Sequence, residues 1–300
     1  MNILTLFCEI DDFFPAYEKW MATHCLPQET ATPETRGRRR SLHPSEVMTL
    51  LIAFHQSGYR TFKHFYQRHV CVYWCAEFPY LVSYSRFVQL KKEVLTVLTF
   101  YLQANLGTCS GISFVDSTRL RVCDNKRISS HRVFAKEAGC SKTSMGWFCG
   151  FKLHLVINDK GEILDVELTA GNIDDRRPLP KFAEGLHGSL YADKGYISKD
   201  LRELLGEQGV NLVYKVRKNM APLDLSVSDE VLLKKRMLIE SVIKIVKTQT
   251  QLEHTRHRNY LNFQVNVVSA LIAYQLLENK PSLNFSELQQ INDLPRLSKP

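Results

Sequence analysis

Gly111-Ile112-Ser113-Phe114-Val115-Asp116-Ser117-Thr118-Arg119-Leu120-Arg121-Val122 is where the chain changes its hydrophobic period. Upstream, apolar residues recur every three to four positions. From Ile112 they alternate, so Ile112, Phe114, Leu120 and Val122 share one face of a strand. Asp116 falls on that same face. An unpaired carboxylate among core residues costs several kcal/mol, so it has to be protonated, paired or bound to a cation, unless it caps a loop at the strand end.

Working downstream, a loop rich in Ser, Lys and Gly runs to about Gly146. Residues 147–159 and 162–171 then read as two further strands joined by a Lys160-Gly161 turn. A helix from about Asp175 to Glu184, a strand at 189–193, a helix from about Ser198 to Glu207 and a strand at 210–216 follow. A polar linker with Pro222 leads to a long helix from about Asp229 to Glu253 and another from about Tyr260 to Leu277. Three strands, then alternating helix and strand, then a closing helix predict an α/β fold: a mixed five-stranded sheet flanked by helices, in ribonuclease H-like order.

Working upstream, the first third is all-α. Pro44–Gln56 has proline at a first-turn position, Glu46 in the first turn and Val47, Leu50, Leu51 and Phe54 at helical spacing. Ser57-Gly58 breaks it, a short helix follows at about Thr61–His69, and a long one runs from about Ser85 to Ala104. Helix, glycine turn, helix is the spacing of a helix-turn-helix, with Arg60, Lys63, His64 and Arg68 available to DNA; a plain bundle with a wet polar face has the same spacing. The expected organisation is a helical DNA-binding domain at 1–108, a catalytic domain at 109–280 and a tail at 281–300.

Among 300 residues, 39 Lys and Arg against 31 Asp and Glu give a net charge of +8, which permits a polyanionic partner without requiring one. The basic and acidic counts are 11 and 9 in residues 1–108, 18 and 14 in 109–219, and 10 and 8 in 220–300. There is no basic tail, so any DNA surface has to be assembled by folding; only Arg36 and Arg38 to Arg40 cluster locally. The eight cysteines contain no Cys-x-x-Cys pair, and acids stand where the basic start of a secretory signal would be. They read as reduced thiols of a cytoplasmic protein. Cys71 and Cys75, near His64 and His69, have metal-ligand spacing as the alternative. No apolar run approaches the ~20 residues of a membrane span.

Two more carboxylates join Asp116. Asp193 ends a short apolar strand before Lys194-Gly195-Tyr196, at the strand end where α/β folds collect ligand-binding residues, although turn aspartates are common. Glu240 lies on the late helix with Arg236 and Lys247 within about 40° of it and an apolar stripe of Ile239, Val242 and Val246 to one side; a wet helix face is the plain alternative. In the inferred fold all three acids meet. Carboxylates so close repel one another unless divalent cations are present, and oxygen-only ligands suit Mg²⁺ or Mn²⁺, two of them about 4 Å apart in phosphodiester chemistry.

Phe114-Val115-Asp116-Ser117, Thr169-Ala170-Gly171-Asn172 with Asp174-Asp175-Arg176, Ala192-Asp193-Lys194-Gly195-Tyr196 and Arg236-x3-Glu240-x6-Lys247 together resemble the DDE transposases of bacterial insertion sequences. Glu253 to Arg258 with Asn262-Phe263, and in the first third Gly58 to Phe62 and Tyr84 to Phe87, resemble the insertion-sequence 982 family, related to the insertion-sequence 4 group. Leu233 stands where that group has a tyrosine. The resemblance implies that Asp116 bridges two metals, that Asp193 and Glu240 each complete one, and that Arg236 and Lys247 contact transposon-end DNA. Lys152 and His154, Lys194, and the patch of His254, Arg256, His257 and Arg258 are further DNA-contact candidates. The implied activity is metal-dependent cleavage of element ends at terminal inverted repeats and strand transfer into target DNA by a homodimer. A ribonuclease H-like nuclease without strand transfer, or an inactivated transposase that only binds DNA, are the alternatives.

Overall fold

The computed structural model describes residues 2–24, 42–143, 146–217, 219–220, 225–252 and 257–284. Its elements are helices Ile3–Asp11 (α1), Phe14–His24 (α2), Pro44–Gln56 (α3), Phe62–Phe65 (α4), Cys71–Tyr73 (α5), Tyr84–Leu90 (α6) and Leu95–Ala104 (α7). Strands Ile112–Arg121 (β1), Gly139–Thr143 (β2), Gly146–Asn158 (β3) and Ile163–Ala170 (β4) follow. Helix Leu179–Ala183 (α8), strand Gly188–Ala192 (β5), helix Lys199–Glu207 (α9), strand Val210–Tyr214 (β6) and helices Val227–Lys235 (α10), Met237–Thr248 (α11) and Tyr260–Gln275 (α12) complete the chain.

Two compact units form, Met1–Asn105 with Val246–Leu276 and Leu106–Ile245 with Leu277–Pro300. The sequence boundaries ran along the chain; the units interleave along it. The physical reason is α12, which is apolar on nearly every side and therefore needs cover all round. It packs against α3 and α7 in the helical unit.

In that unit α3 starts on a reciprocal cap. His43 Nδ1 accepts from the Ser45 amide, and Glu46 Oε2 accepts from the His43 amide at 2.6 Å. Gly58, at φ +73°, turns the chain out of the helix. The predicted short helix extends from α4 through a π-helical turn, Tyr66–Val70, into α5. The long helix expected from Ser85 to Ala104 is interrupted at residues 91–94, where no glycine or proline marks the break and Lys91 is buried.

The sheet of the second unit has six strands where five were expected. β3 is long enough to carry two partners on one edge, β2 along Gly146–Gly150 and β4 along Phe151–Ile157, with β1 antiparallel on the other edge. β5 then runs parallel to β1, and β6 parallel to β5. β2 escaped sequence reading because Gly-Cys-Ser-Lys-Thr has no alternation. Its pairing places Cys140 opposite Cys149, and the two form a disulfide with Cα atoms 4.0 Å apart. The expectation of eight reduced thiols is therefore corrected for this pair.

One face of the sheet packs Val115, Val156, Leu190 and Leu212 on Leu179 and Phe182 of α8 and Leu201 and Leu205 of α9. On the other face Tyr191 donates to Asp229 of α10 at 2.8 Å. β1 and β5 begin side by side because Gly188, at φ +78°, sits where any Cβ would run into the Gly111 backbone. They pair over Ile112–Phe114 and Ser189–Tyr191.

Candidate active site

Asp116 lies on β1 two residues past its last pairing with β5, and Asp193 follows the end of β5. The third carboxylate comes from the helices. The sequence predicts one helix through Asp229–Glu253, but the chain breaks it at Arg236, between α10 and α11. The break sets the Arg236 side chain among the acids. Its Nη1 is 3.2 Å from Asp116 Oδ2, and its Nη2 is 2.9 Å from Glu240 Oε1 and 4.0 Å from Asp193 Oδ1. Arg236 is only 17 % exposed and Asp116 24 %, whereas Asp193 and Glu240 are 57 % and 54 % exposed.

The pairing that the sequence demanded of Asp116 is thus met from two sides. The Ser117 amide donates to Oδ1 at 2.8 Å, and Arg236 holds Oδ2. Burial still pushes the Asp116 carboxyl above its ordinary range, against the Ser117 bond and the Arg236 charge, which pull it down.

Residues 106–260, just over half of the chain, match the family model of the transposase DDE domain. The chain belongs to that family. Neither a curated protein nor a solved structure matches it.

In this transposase domain the donor set fits a hard divalent cation in kind, since the three side chains offer carboxylate oxygens alone and already converge on one positive group. That group is the guanidinium. Among the described residues, no three His, Cys, Asp or Glu side chains stand as a ready metal site, which also leaves Cys71, Cys75, His64 and His69 without one.

A second polar cluster lies next to the first, and sequence reasoning missed its role. Ser117 donates its hydroxyl to Asp175 Oδ1 at 2.9 Å. Lys152 Nζ stands 3.0 Å from the same oxygen and donates to the Ile173 carbonyl at 2.7 Å. His154 Nδ1 is 4.0 Å from Asp175, and its Nε2 is 2.8 Å from Thr169 Oγ1. Burial keeps the His154 imidazole below its ordinary range, and burial with the charges of Asp116 and Asp175 raises the Tyr196 phenol well above its own. Lys152 and His154, expected to face DNA, belong to this cluster: the Lys152 side chain is 12 % exposed and His154 is fully buried. The signal was there in Asp174-Asp175: Asp174 is taken by a two-pronged contact with Arg176, at 2.9 and 2.7 Å, leaving Asp175 to enter the sheet.

The remaining basic candidates divide. Arg60, Lys63, Lys194 and Arg258 are exposed. Lys247 is half-buried, in the last turn of α11. His257 is held neutral, its imidazole pushed down to about 3 by burial first and by Lys91 next, so it adds no charge to the predicted patch. Arg256 and His254, like Arg36 and Arg38 to Arg40, lie outside the described residues. A cavity of about 480 Å³ adjoins the acids, lined by Asp193, Lys194, Tyr214, Lys215, Lys234 and Arg236 among others. No helix among the described residues is long and apolar enough to cross a membrane.

Proposed function

We propose that this chain is an insertion-sequence transposase of the 982 type, related to the insertion-sequence 4 group. In this proposal it cuts the ends of its element and joins the freed 3′ hydroxyls to target DNA. The observation that carries the reading is the convergence of Asp116, Asp193 and Glu240 on one cation, from a strand, the end of its parallel neighbour and a helix distant in sequence. Belonging to the transposase DDE domain family supports it.

The chemistry needs two phosphoryl transfers. In the first, a water oxygen attacks the phosphorus at the element end and the bond to the 3′ oxygen breaks, leaving a 3′ hydroxyl and a 5′ phosphate. In the second, that hydroxyl attacks a target phosphodiester and releases a target 3′ hydroxyl, so the number of phosphodiester bonds is conserved. Asp116, Asp193 and Glu240 would hold two Mg²⁺ or Mn²⁺ ions, with Asp116 shared. When bound, such ions activate the attacking oxygen and stabilise the leaving one. The residues themselves fix geometry: the Ser117 amide orients Asp116, and the exposed Lys194 beside Asp193 draws the phosphate backbone.

Cutting both ends in concert calls for two copies of the chain on the two inverted repeats, and the cytoplasm, where bacterial DNA lies, is the place of action. Leu233 in place of the group's tyrosine removes one polar contact from the cavity wall and leaves the acids untouched. The test is cleavage of a labelled element end in Mg²⁺ by Asp116→Asn, Asp193→Asn and Glu240→Gln. Each should lose it, and retention of wild-type cutting by any one removes that residue from the role assigned.

A further inference from the structure

We propose that Arg236 is an internal cation that holds the three carboxylates together and is exchanged for divalent metal, moving from the acids to a DNA phosphate as the site loads. This rests on the transposase reading and adds a step to it.

Arg236 donates to Asp116 Oδ2 and Glu240 Oε1 and lies 4.0 Å from Asp193 Oδ1, so a metal held by these three carboxylates would compete with it. A guanidinium and a divalent ion cannot share them, because both are positive and the contacts are 2.9 to 4.0 Å. One guanidinium carries a third of the charge needed to balance three ionised carboxylates. A divalent ion therefore gains more from the same place than Arg236 does.

The structure also provides the exit. Arg236 stands at the break between α10 and α11 rather than within a helix. The side chain borders both the acids and the adjoining cavity, whose wall adds Lys194, Lys215 and Lys234. Those cations attract a phosphate, and a guanidinium turned toward it meets two of its oxygens with two parallel N–H groups. Metal loading and DNA grip are thereby coupled through one side chain: each favours the position of Arg236 that the other needs.

The coupling predicts a measurable competition. If Arg236 occupies the acids about nine-tenths of the time, apparent metal affinity is lowered about tenfold, and removing the side chain restores it. Mn²⁺ binding to the full chain without DNA, followed by calorimetry and by the Mn²⁺ electron paramagnetic resonance signal, should tighten about tenfold in Arg236→Gln and stay near the wild-type value in Arg236→Lys. Asp116→Asn should abolish the binding in every background. Binding by Arg236→Gln that is unchanged or weaker than wild type, with the Asp116 control intact, overturns the exchange and leaves the metal reading standing. No Asp116-dependent Mn²⁺ binding in any variant overturns both. Should Arg236→Gln fail to fold, the wild-type chain decides: the Arg236 Nε–H resonance, assigned by its loss in Arg236→Lys, should shift with Mg²⁺ at the midpoint of metal binding. A resonance that does not move overturns the exchange.

Discussion

Asp116 and Ser117 are neighbours on β1 whose side chains leave opposite faces of the sheet, and each meets a carboxylate and a cation there. On the Asp116 side the cation is Arg236, at a helix break, beside a cavity and shared among three acids. On the Ser117 side it is Lys152, tied to Asp175 and also to the Ile173 carbonyl, with His154 packed beside it. A cation with a fixed second bond is part of the frame. Arg236, by contrast, contacts carboxylates beside a cavity, which is the arrangement the proposed exchange requires.

The largest test of that difference is a pair of adjacent substitutions. Asp116→Asn should reduce end cleavage by about a thousandfold or more, whereas Ser117→Ala, which keeps the amide that orients Asp116, should cost about tenfold or less. Comparable losses in the two, measured as single-turnover rates, would erase the distinction between the faces. Next in size, Asp175→Asn leaves Lys152 without its countercharge in a mostly buried place and should destabilise the fold by about 2 kcal/mol in urea unfolding, equally with and without Mg²⁺. Asp175→Asn with Lys152→Met should recover part of that, and full additivity of the two would show that the pair is not coupled.

DNA affinity offers a smaller effect. Lys194→Ala should lower the slope of log affinity against log salt by about 0.9, the share of one phosphate contact, while Lys152→Met should leave the slope unchanged. The smallest expected effect is on pH. His154 is held neutral in the fold, below its ordinary 6.5, so its contribution is complete above pH 6.5 and is lost as pH falls below it, when the unfolded chain takes up a proton that the fold refuses. His154→Gln should flatten the acid side of the stability profile by at most about 1.4 kcal/mol per pH unit; an unchanged slope would mean that the imidazole already carries its proton in the fold.

Much of the sheet was legible because alternation reports burial directly: Phe114 and Leu120 sit inside where the period of two put them. The same rule exposed Asp116, since a charge at an apolar position has to be answered. What stayed illegible was the answer. Nothing local shows that Arg236 ends α10, because Lys-Lys-Arg-Met has good helix formers throughout. The burial of His154 was illegible for a related reason: alternation sorts residues by face but cannot say that the polar face of a strand is covered. The sixth strand and the Cys140–Cys149 pair depend on a partner edge rather than on their own composition.

The interleaving of the two units carries a consequence for how the protein is made. The face of α3 that α12 covers waits for residues 260–275, and the site that begins at Asp116 waits for Arg236 and Glu240. While the ribosome is still adding the last quarter of the chain, neither unit is complete and the two aspartates already made lack their third partner. A chain truncated before α10 would therefore fail twice, exposing apolar surface on α3 and leaving Asp116 and Asp193 without Arg236 and Glu240.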